Sequence, residues 1–186
     1  MAGLSEEEDL FAPVWRAARN RWPWLVLNII TAFFASRVID AFEHAIAQLV
    51  ALAALMPIVS GIGGNAGTQT ATLVIRGLAL GQITNANLRP LAFKELRVAL
   101  INGLMWGTVL GVVAFALYRN VGLGLVMAAA MVLNLLVAAT VGLGVPVLMQ
   151  RCGRDPAYGS SVILTAATDS LGFFIFLGLA ALFLLP

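Results

Sequence analysis

One carboxylate lies deep in an apolar run: Asp169, within "SSVILTAATDSLGFFIFLGLA". A lone Asp near mid-bilayer costs about 2.5 to 3.5 kcal/mol even on lenient insertion scales, so it must face protein or water. Ser161, Thr165, Thr168 and Gly172 fall at i−8, i−4, i−1 and i+3 from it, one stripe of a helix. A hydroxylated stripe that ends at a carboxylate suits a hydrated cation. The competing reading is a carboxylate capped by the polar groups of a neighbouring helix. A second polar cluster interrupts another apolar run, in "MPIVSGIGGNAGTQTATLVIRG". There Gly61, Gly63, Gly64 and Gly67 surround Asn65, Thr68, Gln69 and Thr70, which supply neutral oxygens to the same turns. Close helix packing through glycine competes with a wet, ligand-bearing wall.

The donor set selects the ion. The chain has one histidine, His44 beside Glu43, and one cysteine, Cys152, so no soft-metal cluster and no intrachain disulfide is possible. Mg²⁺ dehydrates reluctantly and is held by one or two carboxylates plus neutral oxygens while keeping several waters. A single Asp is thin for a divalent ion. Two copies of the chain across a symmetry axis would bring two carboxylates together, as acidic rings do in cation channels.

The elements that must position these residues are membrane helices. Of 186 residues, 61% are hydrophobic and 11% charged, where a soluble domain carries about 25% charged residues. Mean hydropathy is +0.95. Alternating strands of a barrel are absent from the pattern, so the class is an all-α polytopic membrane protein. Five apolar segments are predicted at 24–42, 45–80, 98–118, 121–150 and 158–185. The second, as one helix, would run about 54 Å at 1.5 Å per residue against a hydrocarbon core of about 30 Å. It must tilt, project or break, with Pro57 and the glycines as expected bends. The third carries Gly103, Gly107 and Gly111, a ridge at spacing four for close packing within or between chains. The fourth holds Gly142, Gly144 and Pro146, where a kink is expected, and Asn134, a candidate cross-helix hydrogen-bonding group.

Charge sets the orientation. With a cytosolic N-terminus, Arg16, Arg19, Arg21, Arg89, Lys94, Arg97, Arg151 and Arg154 fall on the inside and only Arg119 in an outside loop. Five crossings then leave the C-terminus external in the cell membrane. These basic residues are spread over short loops and form no patch for nucleic acid. The N-terminus, with "LSEEEDLF", lacks the basic start of a signal peptide. Residues 1–20 are read as a short cytosolic or interfacial segment, with Ser5 and Glu8 as a capping box and Phe11, Val14 and Trp15 on one face.

"PIVSGIGGNAGTQTATLVIRGLALGQI", then "FKELR", then "RDPAYGSSVILTAATDSLGFFIFLGLA" together resemble the transmembrane domain of the MgtE family of magnesium transporters. The likeness covers about residues 21–186. It implies a homodimeric Mg²⁺ channel with five helices per subunit and a pore on the dimer axis. By the same resemblance Asp169 matches the pore aspartate that binds the hydrated ion, aided by backbone carbonyls near Thr165. Asn65 and its glycines match the pore-side segment, and Asp155 in "DPA" matches an acidic position near the gate. Typical members also carry a long cytosolic domain and paired CBS domains that sense Mg²⁺. The resemblance is therefore silent on gating here. The expected metal-site residues are Asp169, Thr165, Thr168, Asn65, Gln69 and Asp155, with Mg²⁺ as the bound and transported ion. Two other functions stay open, an ion-coupled carrier and a non-conducting membrane module that binds a divalent ion. No nucleophile and base pair points to an enzyme.

Overall fold

A computed structural model of the protein describes residues 13–157 and 159–185, so Ser5, Glu8 and Phe11 lie outside the described residues. Among these residues the secondary structure is helical: α1 (Val14–Asp40), α2 (Glu43–Gln48), α3 (Ala51–Ala79), α4 (Leu88–Tyr118), α5 (Val121–Arg151) and α6 (Ser160–Phe183). Five of them, all but α2, are long and apolar enough to cross a membrane.

The long second segment does break, at its start. α2 ends at Gln48, Leu49 leaves the helical conformation (φ −135°, ψ 83°), and α3 begins at Ala51. α3 then runs through Pro57, Gly61, Gly63, Gly64 and Gly67 as one helix, where the bends were expected. Its 29 residues span about 43 Å, still longer than a hydrocarbon core. α4 begins ten residues before the predicted third span, so "FKELR" is helical and Arg89, Lys94 and Arg97 lie on α4. α5 is continuous across Gly142, Gly144 and Pro146.

Glycine lets the helices approach. α4 and α5 form an antiparallel hairpin in which Gly103, Gly107 and Gly111 meet Val132, Ala128 and Gly124 in turn. The ridge therefore packs within the chain. The hairpin turn is compact: Arg119 takes a left-handed conformation (φ 52°), and the Asn120 side chain caps α5 by accepting from the Leu123 amide at 3.0 Å. α3 lies along α5, with Gly142 against the Gly67 carbonyl, and crosses α6. α1 packs on α6, where Trp24 covers Gly159 at the start of that helix. Leu52, Val59, Leu123, Met127, Met131, Phe176 and Leu177 fill the centre of the bundle. Large apolar side chains such as Ile29, Phe33, Ile101 and Val112 face outward, as a bilayer requires.

Candidate functional site

α3 and α6 cross antiparallel, so a rising series on one meets a falling series on the other. Ser60, Gly64 and Gly67 of α3 face Asp169, Thr168 and Leu164 of α6. The absence of side chains at the two glycines makes the crossing close. A methyl group on Gly67 would stand 2.8 Å from Leu164 Cδ1, and one on Gly64 3.7 Å from Thr168 Oγ1. At the head of this crossing Ser60 Oγ donates to Asp169 Oδ1 at 2.5 Å. Asp169 is half-buried. Among the described residues the one ion pair joins Arg37 to Asp40 at 3.1 Å, so no cationic side chain neutralises Asp169. A carboxylate with one hydroxyl donor keeps acceptor capacity for a cation or its waters.

Behind the crossing, α5 holds α3 in place. Asn134 is fully buried and its Nδ2 donates to the Val59 carbonyl at 2.7 Å, the cross-helix bond expected of it. It fits between Gly63 and Gly172, and the latter lies one turn beyond Asp169. Val59 precedes Ser60, so this bond fixes the backbone that presents the Asp169 partner. Asn134 Oδ1 and Ser170 Oγ are buried without a hydrogen-bond partner.

The residues singled out from the sequence distribute unevenly around this point. Thr168 is buried and its hydroxyl donates to the Leu164 and Thr165 carbonyls at 3.0 and 3.2 Å. Thr165, one turn before Asp169, is exposed on the outer side of α6. The hydroxyl stripe therefore divides between an inward and an outward face. Asn65 and Thr68 are exposed on α3, and the Thr68 hydroxyl donates to the Gly64 carbonyl at 2.8 Å. At 100° per residue Asn65 lies about 140° round the helix from Ser60, away from Asp169 of the same chain. Gln69 lies about 180° from Ser60 and lines a cleft that contains Glu95 of α4. Asp155 is exposed in the loop before α6, its Oδ1 accepting from the Ala157 amide at 2.9 Å. From Ser160 to Asp169 the helix rises about 14 Å, so the structure does not bring Asp155 to the crossing.

Two polar residues escaped the sequence reading. Ser60 stands four residues before Gly64 on the same stripe, a spacing that marks it as a neighbour of any group facing that glycine. Glu95 was given no role beyond its place in the quoted "FKELR". It heads the buried face of α4, four residues before Ala99 and eight before Gly103, and that period was its signal.

Five long apolar helices, with one half-buried carboxylate and a hydroxyl partner between two of them, define a multi-pass α-helical membrane protein with a candidate cation site. A profile of the MgtE family, described as a divalent cation transporter, matches residues 56–179. The chain belongs to the MgtE family of divalent cation transporters. It is 34% identical over 168 residues to the magnesium transporter MgtE of Bacillus subtilis, covering 90% of this chain and 37% of that protein. It is 35% identical over 162 residues to the magnesium transporter MgtE of Thermus thermophilus, covering 87% of this chain and 36% of that one. The corresponding protein of Enterococcus faecalis is 29% identical over 184 residues, 99% of this chain and 40% of its own length. The chain thus spans well under half the length of these relatives.

Proposed function

We propose that this chain conducts hydrated Mg²⁺ across the cell membrane as a homodimer, with Asp169 of each copy at the ion path. The observation that carries the reading is the half-buried Asp169, held by Ser60 at a close crossing of two membrane helices and without a cationic partner among the described residues. Two such carboxylates across a dyad would balance the charge of one divalent ion. Thr165 on the outer side of α6 and Asn65 and Thr68 on the exposed face of α3 then meet the ion's waters from each copy. This assignment explains why polar groups with no partner helix in one chain point outward from a greasy bundle. Thr168 supports the Thr165 carbonyl and Asp155 lies at the entrance on the cytosolic face, while Gln69, on the far side of α3, faces away from this path. The MgtE relatives named magnesium transporters agree with the choice of ion.

The N-terminus is cytosolic and the C-terminus external in this proposal, so inside negativity drives uptake. A divalent ion gains about 4.6 kcal/mol per 100 mV on entry. The test is Mg²⁺ flux into vesicles containing the purified chain. Asp169→Asn and Asp169→Ala are expected to lower flux at least tenfold, and rates equal to the parent's would overturn the assignment. Flux that requires a proton or sodium gradient would replace the channel with a coupled carrier. Binding without flux would leave a non-conducting module.

A further inference from the structure

α3 and α4 are neighbours that pack chiefly on α5 and leave a cleft between them. Its floor is Leu135 and Ala139 of α5, and its walls carry Gln69 and Thr70 of α3 and Glu95 and Asn102 of α4. The Glu95 side of this cleft is chemically unfinished. Glu95 is 8% exposed, and among the described residues it accepts a hydrogen bond from Thr70 Oγ1 at 3.3 Å, longer than the usual 2.7 to 2.8 Å for a hydroxyl donor. A buried carboxylate is costly unless paired or well bonded. Lys94 is exposed at the wider mouth of the cleft and makes no ion pair with it.

We propose that this cleft is a second divalent-cation site, separate from Asp169, with the Glu95 carboxylate as its charged ligand. Thr70, Gln69 and Asn102 add a hydroxyl and two carboxamide oxygens, a hard donor set with no sulfur or imidazole. The cavity they line has a volume of about 120 Å³. At about 30 Å³ per liquid water that is room for an ion with a few retained waters, the form in which Mg²⁺ is held by one carboxylate. It adjoins a cavity of about 440 Å³ that shares Leu73 and Glu95 and reaches Gln82 and Asn87 in the α3–α4 loop, so an ion has a way in from that end of the bundle. Thr70 stands ten residues after Ser60, about 80° round α3, so one helix presents different faces to the two sites.

The site is tested apart from Asp169 by Mn²⁺ binding to the purified chain in nanodiscs, read from loss of the free Mn²⁺ electron paramagnetic resonance signal. The Asp169→Asn protein is expected to retain a bound Mn²⁺ that Mg²⁺ displaces. Adding Glu95→Gln, which preserves side-chain shape, is expected to weaken that binding at least tenfold, and adding Thr70→Val severalfold. Equal Mn²⁺ binding with and without Glu95→Gln overturns the proposal, as does an Asp169→Asn protein that binds none. Should the Glu95→Gln combination fail to fold, the Thr70→Val combination decides by the same comparison. Because Asp169 is already neutralised in each arm, the outcome is independent of whether Asp169 lies in the ion path.

Discussion

A methyl group on Gly63 would overlap the Asn134 carboxamide, which cannot swing aside because it is wedged against Gly172 and bonded to the Val59 carbonyl. Two residues earlier, Gly61 has open space around it. Gly63→Ala is therefore expected to destabilise the protein by about 1 to 3 kcal/mol through overpacking. Gly61→Ala should be neutral or stabilising by up to about 1 kcal/mol, since Ala is the better helix former. Thermal unfolding in detergent, compared between the two variants, checks both values. Asn134→Leu removes the donor to Val59 and is expected to lower the unfolding midpoint and Mg²⁺ flux together, because that bond holds the turn that carries Ser60. At this scale Asp169 was legible because a charge in an apolar run has few explanations. Ser60 was not, because a serine among glycines reads equally well as packing until its partner helix is known. Glu95 was hidden by its basic neighbours, and only the extension of α4 places it on a buried face.

The α4–α5 hairpin rests on backbone contact: a methyl group on Gly107 would stand 2.8 Å from the Ala128 carbonyl oxygen, and one on Gly111 2.7 Å from the Gly124 carbonyl oxygen. Carbonyls in a helix cannot move aside as a side-chain tip can. Gly107→Val is expected to cost about 2 kcal/mol or more by forcing the helices apart, while Val109→Ala on the outward face should leave stability nearly unchanged. Chemical unfolding of the two variants in mixed micelles separates these outcomes. The elements themselves were readable from hydropathy, since five long apolar runs admit few alternatives. Their ends were less so: α4 extends beyond its apolar run because Leu88, Leu91 and Ala92 continue its helix through charged residues. The continuity of α3 through Pro57 has a related cause. α3 lies along α5 and crosses α6, and packing on both sides holds a helix that local propensity alone would interrupt.

For the whole molecule, orientation is the property on which the proposed inward flux depends. Cys152 is the sole cysteine and is exposed just after α5, beside Arg151 and Arg154. A membrane-impermeant maleimide is expected to label it in inside-out vesicles and to leave it unlabelled in intact cells. Labelling from the outer face would reverse the topology. The proposed dimer has its own measurement: light scattering corrected for bound detergent should give twice the 19.6 kDa chain mass. Basic-residue bias gives an expected orientation that the labelling decides, whereas the arrangement of helices around one another was not readable, because several helices carry small residues able to face any partner.

The pairing of α1 with α6 also governs how the molecule is made. Trp24 on the first helix closes over Gly159 at the start of the last, with four helices synthesised between them. α1 therefore enters the bilayer long before the surface it fits exists. Until then its apolar sides are satisfied by lipid, and the α4–α5 hairpin, built from neighbours in sequence, can assemble first. Chain order thus lets the α4–α5 hairpin form before α6 is made, whereas the α1–α6 contact must wait for α6.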